Sequence, residues 1–327
     1  MRITYGPWGE TMAEMVAAAR AAEEAGAEAL WVPELHRSAT VSAAAVAAGT
    51  SRAQVGTAIA LAFTRSPMTT ALGALDLAEL SGGRFVLGLG SGVRRLNEDW
   101  HGVHWERPAA RLRETVRIIR HFAEHAASGE PMTVEGEQVS LRVRGYQRPF
   151  PSVPFPIYLA GMGPVMTRLA GEIADGWISH ELCSPDWLRE RALPLLRPGV
   201  DAVVSAACSI DPDPAAARRR AAGLAGFYAS VRTYADFFAF HDLAAEQDKV
   251  VEAFRAGARA DDLAAAVPDR MVDALTLSGT ADQVAERIAG YAGHATTIKL
   301  TPPTHGLDPA ETRTAQARII DLIKELT

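Results

Sequence analysis

The sequence predicts an α/β fold, a (β/α)8 barrel of the TIM type with insertions, and three observations predict it. Short apolar runs of strand length alternate with helical segments along nearly the whole chain, and parallel strands need a helical crossover at each return. Eight such runs occur in the right order, the count that closes a barrel. A chain of 327 residues, 48% of them hydrophobic, supplies the core of one barrel of the larger sort. Residues 1–327 are therefore expected to form a single domain, with a hairpin insertion at 129–154 and a helical insertion at about 212–275.

Arg2 to Tyr5 is the first strand, ending at Gly6-Pro7-Trp8-Gly9. Thr11-Met-Ala-Glu14 is a capping box, in which the threonine oxygen and the glutamate carboxylate satisfy backbone donors, and its helix stops at Gly26. Ala29 to Val32 is the second strand. It ends in Pro33-Glu34-Leu35-His36, and an alanine-rich helix follows from about Ala39 to Ala48. Val55 to Leu61 is the third strand and Met68 to Leu80 the third helix. In SGGRFVLGLGSGVRRLN, Ser81 to Asn97, Gly82 and Gly83 punctuate and Phe85 to Leu89 is strand four, apolar on both faces as a buried parallel strand is. The next helix, Pro108 to about Ala126, has proline in its first turn and an apolar stripe at Leu112, Val116, Ile119, Ala123 and Ala126.

Between Gly129 and Pro154 two alternating runs flank Gly136, which reads as a hairpin. Phe155 to Leu159 is strand five, running into Ala160-Gly-Met-Gly-Pro164 and a helix to about Glu172. Ala174 to Ile178 is strand six, with His180 and Glu181 just beyond it. Trp187 to Leu196 reads as a helix and Ala202 to Ile210 as strand seven. Pro212 to Val267 is helical and crowded with aromatics, among them Phe227, Tyr228, Tyr234 and Phe237. A helix over Pro268 to Leu275 and a second capping box, Thr280 to Gln283, precede strand eight at Thr296 to Leu300. Asp308-Pro-Ala-Glu311 caps the last helix.

Composition excludes several classes of function. A formal charge of -6 with no basic patch argues against a nucleic-acid or anionic-membrane partner. Only Cys183 and Cys208 are present, without a CxxC pair, so neither a disulfide framework nor structural zinc is suggested and a reducing cytoplasm fits. No apolar run approaches the roughly 18 residues of a membrane span, and the first residues lack a signal-peptide core. A soluble, cytoplasmic protein is expected.

In a barrel of this kind, ligands and catalytic groups sit at the C-terminal ends of the strands. Gly88, Gly90 and Gly92 fall at alternate positions there, which offers bare backbone to a flat group or else marks a tight turn. Their spacing, GxGxG, is not the dinucleotide fingerprint. Ala160-Gly-Met-Gly opens a helix and suits an anion, first of all a phosphate, or is simply a strand-to-helix turn. Glu34 and His36, two apart on an extended segment, either share a proton or are an ordinary loop pair. His180-Glu181 is a second candidate acid/base pair.

His101 and His104 read as plain loop histidines, since the loop offers no third ligand. His121-Phe-Ala-Glu124-His125 matches a zinc-peptidase pattern, but helical geometry puts His121 opposite Leu112 on a solvated face, so no metal is expected. The aromatics around Phe227, Tyr228 and Tyr234 are either pocket wall or core.

LWVPEL, VGTAIALAFTRSPMTTA, LSGGRFVLGLGSG, ERPAARLRETVRIIR, PFPIYLAGMGPVMTRLAGEIADGWI and TLSGTADQVAERIAGY together resemble the luciferase-like superfamily, specifically its deazaflavin (coenzyme F420) dependent oxidoreductase branch. The resemblance covers nearly the whole chain. It implies a flavin-like ring at the barrel mouth and a bulge in strand three, here near Ala60-Leu61, often with a non-prolyl cis peptide. The cofactor site it implies comprises Glu34, Ala60, Leu61, Thr64, Gly90, Ser91, Gly92, Asn97, Ala160, Gly161, Met162, Gly163 and Pro164, the last four around a phosphate. Two departures matter. Members acting on sugar phosphates carry Asp-His after strand two and glutamate directly after GxG, where this chain has Glu34-Leu35 and Val93. The luciferase-type double histidine is half absent, with Leu35 in its first place and His36 in its second.

The expected activity is F420-dependent hydride transfer to or from a small organic substrate, with His36 as proton relay, Glu34 orienting it or binding cofactor, and His180 in reserve. The alternatives are an FMN-dependent monooxygenase and a flavin-binding protein without turnover. The superfamily also implies a possible homodimer through outer barrel helices.

Overall fold

Apolar runs bounded by glycine, proline or polar turns become short parallel strands in the computed structural model, which describes residues 1–327 apart from the side chains of Ala260 and Asp261. Among the described residues the strands in chain order are β1 (Arg2–Tyr5), β2 (Ala29–Val32), β3 (Gln54–Thr57), β4 (Ala60–Leu61), β5 (Phe85–Gly90), β6 (Met132–Val134), β7 (Leu141–Val143), β8 (Ile157–Ala160), β9 (Gly176–Ile178), β10 (Asp201–Ile210), β11 (Leu277–Gly279) and β12 (Thr297–Thr301). Eight parallel lines, with β3 and β4 counted as one interrupted strand and β6, β7 and β11 outside the count, make a closed (β/α)8 barrel. Among the described residues no helix is long and apolar enough to cross a membrane.

One compact group of residues comprises Ala29–Ser179 and Pro194–Ala202. Its parallel strands follow the order β2, β3, β5, β8, β9, and β4 pairs with β5 at Ala60–Leu89 and Leu61–Gly90. The expected single strand over Val55 to Leu61 is interrupted. A cis peptide joins Ala58 to Ile59, two residues before the expected bulge at Ala60-Leu61. Thr57 closes the gap, since its hydroxyl donates to the Gly88 carbonyl at 2.7 Å and accepts from the Gly88 N–H at 2.9 Å. The hairpin forms as expected, with β6 antiparallel to β7.

The helix Pro108–His125 buries Leu112, Val116 and Ile119, with Phe122 buried where Ala123 was expected, its ring 5.4 Å from that of Tyr146. The rings of His121 and His125 stack at 4.3 Å and Glu124 is exposed.

The other group comprises Met1–Glu28, His180–Leu193 and Val203–Thr327, with parallel strands in the order β11, β10, β12, β1. Strand β11 is absent from the sequence reading; three residues, two of them Ser and Gly, carry too little apolar pattern to announce a strand. The expected helix over Trp187 to Leu196 is instead one helical turn at Pro185–Trp187, a π turn at Leu188–Ala192 and a 3-10 turn at Leu193–Leu195. The helical insertion resolves into Pro214–Ala229, Ala235–Phe240 and Ala244–Arg255, with short turns between and after them. Thr280 and Gln283 form the reciprocal capping box, and Asp308 accepts from the Glu311 N–H at 2.8 Å.

Candidate cofactor and active site

Glu34 leaves the end of β2 and turns to the interrupted strand. One carboxylate oxygen accepts from the Leu61 N–H at 2.8 Å and from Arg65 Nη1 at 2.9 Å, and Arg65 Nη2 donates to the other oxygen. The Glu34 N–H in turn donates to the Ile59 carbonyl at 3.0 Å. Burial alone would raise this carboxyl, but the Arg65 guanidinium and the N–H groups of Leu61 and Ala39 outweigh it and hold it below the ordinary carboxylate range. Glu34 is thus the clasp of the cis-peptide segment. Arg65 also lines a cavity of about 300 Å3 with Thr57, Ala60, Leu61, Phe85 and Leu87.

His36 is exposed and, among the described residues, has no hydrogen bond or ion pair, so the expected exchange of a proton with Glu34 is not formed. Both Glu34 oxygens are engaged elsewhere. Thr64, half-buried, donates to the Leu61 carbonyl at 3.2 Å and so closes the turn after β4.

The alternate glycines of β5 turn out to serve the protein's own packing. A Cβ on Gly88 would stand 1.8 Å from the Thr57 carbonyl, and one on Gly90 2.9 Å from the Ile59 side chain. Gly92 has φ of 68°, the left-handed region that glycine takes without penalty. Beyond it Asn97 is fully buried, and its Nδ2 donates to the carbonyls of Ser91 at 2.9 Å and Val93 at 3.0 Å. Its Oδ1 has no hydrogen-bond partner. A buried acceptor without a donor costs about 1–3 kcal/mol, so this oxygen suits an N–H brought by a bound ring.

The helix Pro164–Ile173 follows β8 through Ala160, Gly161 and Met162. Gly161 is anchored, for its carbonyl accepts from Trp177 Nε1 at 2.8 Å and its N–H donates to Ile178 at 3.2 Å. Gly163 is the N-cap and supplies no capping side chain; a Cβ there would meet nothing within 4 Å. Among the described residues the N–H groups of Val165 and Met166 have no partner, and Gly163, Pro164 and Val165 are exposed. The first turn therefore fits a phosphate, through two free donors and the helix dipole.

The second polar cluster belongs to the other group of residues. Lys299 on β12 places its ammonium 2.5 Å from Glu181, and Thr301 donates to the second Glu181 oxygen at 2.7 Å. Burial would raise the Glu181 carboxyl, but Lys299 and the Thr301 hydroxyl pull it below its ordinary value. His180 is half-buried, and its ring accepts from the Leu182 N–H at Nδ1, 3.3 Å away. Burial, helped by the Lys299 charge and opposed by Glu181, pushes His180 down to about 4. Tyr228 and Tyr234 lie against the imidazole, 4.0 and 4.7 Å between ring centres. Of the aromatics left open between wall and core, Phe237 and Phe238 are core, while Phe227, Tyr228 and Tyr234 are half-buried.

Arg65, Thr57, Lys299 and Thr301 are the residues that sequence reasoning missed. An arginine in the loop after predicted strand three, next to the strand that ends in an acid, was the one usable signal, for Arg65. Among the described residues no group of three His, Cys, Asp or Glu is placed to hold a metal ion.

The chain is thus a parallel barrel with an interrupted third strand, an acid clasp on it, a buried acceptor without a donor and a helix N-terminus without a side-chain cap. The family profile described as luciferase-like monooxygenase matches residues 2–297, and the chain belongs to that family. A Mycobacterium tuberculosis protein that bears the name of a coenzyme F420-dependent oxidoreductase is 30% identical over 335 aligned residues, 90% of this chain and 92% of that one. The 5,10-methylenetetrahydromethanopterin reductase of Archaeoglobus fulgidus is 30% identical over 82% of each chain. An uncharacterised Mycobacterium bovis protein is 33% identical over 192 residues, so there the match spans 56% of the relative's length. In structure, the coenzyme F420-dependent tetrahydromethanopterin reductase of Methanopyrus kandleri superposes with a TM-score of 0.82 over 99% of this chain and 98% of that one, at 22% identity.

Proposed function

We propose that this chain is an F420-dependent oxidoreductase acting on a small organic substrate. The deazaflavin, when bound, supplies a carbon centre, C5, that takes up or gives a hydride. The observation that carries the reading is the buried Asn97 Oδ1, an acceptor that the protein leaves without a donor. In this reading Asn97 receives a ring N–H, the Glu34–Arg65 clasp keeps the Ala58–Ile59 segment in place behind the ring, and the Val165 and Met166 N–H groups hold the phosphate. The names and near-full-length matches of the relatives support F420 as the cofactor.

The chain's own residues also divide the proton chemistry. Glu34 is committed to Arg65 and Leu61 and serves as cofactor clasp, not as partner of His36. His36, beyond the end of β2, is exposed to solvent.

The reading is tested by titrating purified apoprotein with oxidised F420 and, separately, with FMN, following cofactor fluorescence. Saturable quenching by F420 at concentrations where FMN has no effect is expected. Preference for FMN would move the protein to oxygen-using chemistry on the same scaffold, and binding of neither would remove the cofactor reading altogether.

A further inference from the structure

The cluster around His180 holds groups that the cofactor reading leaves unassigned. The Lys299 side chain is 5% exposed, and its ion pair with Glu181 gives up water on both sides. Such a pair adds little stability for its cost, so its presence points to a task of positioning. What it positions is the residue next to Glu181. The Leu182 N–H donates to His180 Nδ1, which fixes the ring proton on Nε2. Tyr228 and Tyr234 stand against that ring, and among the described residues neither phenolic hydroxyl has a hydrogen-bond partner. The rings around them are apolar, with Phe237 6.1 Å from His180 and packed on Trp187 at 5.0 Å. One carboxylate, one ammonium, one imidazole and two phenols sum to no net charge.

We propose that His180, Tyr228 and Tyr234, braced by the Glu181–Lys299 pair, bind the oxygen of an uncharged carbonyl or alcohol substrate, with His180 donating from Nε2. An anionic head group finds no counter-charge here, since Lys299 is already spoken for by Glu181, and it would lose its hydration without return. A carbonyl oxygen needs only donors, and the imidazole and the phenols offer them. Lys299 and Glu181 act through His180 and are positioning residues. The term substrate rests on the oxidoreductase reading; the binding itself does not.

The test uses apoprotein labelled with 15N-histidine, long-range proton–nitrogen spectra at neutral pH, His180→Gln to assign the ring, and two probes of one shape, cyclohexanone and cyclohexanecarboxylate. The Nε2–H form and a saturable shift of His180 with cyclohexanone are expected, with the carboxylate binding at least about tenfold more weakly. Tyr228→Phe should weaken cyclohexanone by about tenfold, the worth of one hydrogen bond. Lys299→Met should weaken cyclohexanone binding, and Lys299→Arg, which keeps the charge on Glu181, should restore it; if the Met variant does not fold, the wild-type tautomer and Tyr228→Phe still decide. A proton on Nδ1, a carboxylate that binds as well as the ketone, or no shift with cyclohexanone overturns the proposal. F420 titration of the same sample separates the two readings, because loss of F420 binding with the cyclohexanone shift intact removes only the cofactor.

Discussion

Glu34 and Arg65 show what one residue pair does for the segment that follows the cis peptide. Their side chains are 8% and 27% exposed, so removing either partner leaves the other short of water and of a counter-charge. Arg65→Met should therefore lower stability by about 1.5–3 kcal/mol, the range for hydrogen bonds to a charged group, read as a lower urea midpoint with unchanged slope. Glu34→Gln keeps an acceptor for Leu61 but loses the charge, and its deficit should depend on pH. A carboxyl held below its ordinary 4.5 stabilises the fold above that pH and loses the contribution as pH falls, so wild type and Glu34→Gln should converge in acid. A Glu34→Gln deficit as large at low pH as at neutrality would show that the carboxylate's charge is not what holds the clasp.

At the scale of elements, two glycines of the candidate site make opposite predictions. Gly88→Ala forces a Cβ against the Thr57 carbonyl, which is backbone and cannot swing aside, so a loss of about 1–3 kcal/mol is expected without any direct effect on ligands. Gly163→Asp puts a carboxylate in open space at an uncapped helix start. It should raise stability by a fraction of a kcal/mol to about 1 kcal/mol through capping, read as a higher urea midpoint, while weakening the F420 titration at least about tenfold by occupying the donors the phosphate needs. Tighter F420 binding in Gly163→Asp would exclude this helix as the phosphate site. These positions also mark what was legible. The glycine pattern of β5 announced a special strand end, but not that Gly88 and Gly90 make room for Thr57 and Ile59, because that contact spans 31 residues of sequence. The capping boxes were legible because they are local. The Glu34–Arg65 and Glu181–Lys299 pairs were not, since spacing in sequence carries no information about which strand ends meet; the eight-strand rhythm, repeated along the chain, was readable for the opposite reason.

For the whole molecule, the shifted groups define how stability should vary with pH. His180 titrates at about 4 in the folded protein against an ordinary 6.5, so between those values the unfolded chain binds a proton that the folded protein refuses, and stability must fall as pH drops through that window. His241, also lowered by burial, adds to the same slope. Below it, Glu34, Glu181 and Asp211 continue the decline. Asp211 is held down to about 2 by Arg220 and Arg318 against the opposing effect of burial, and its contribution is the last to go. On the alkaline side burial raises Cys208, Tyr228 and Tyr234 above their ordinary values, so unfolding releases protons there and stability should fall again above about pH 9. Urea midpoints measured from acid to alkaline pH should trace a plateau from about 6.5 to 9 with a slope on either side. His180→Gln should flatten the part of the acid limb between about 4 and 6.5 and leave the alkaline limb unchanged. A wild-type midpoint equal at pH 4.5 and 7, or a His180→Gln acid limb identical to wild type, would mean that the imidazole is not kept unprotonated by the fold, and the donor assigned to Nε2 would lose its physical basis.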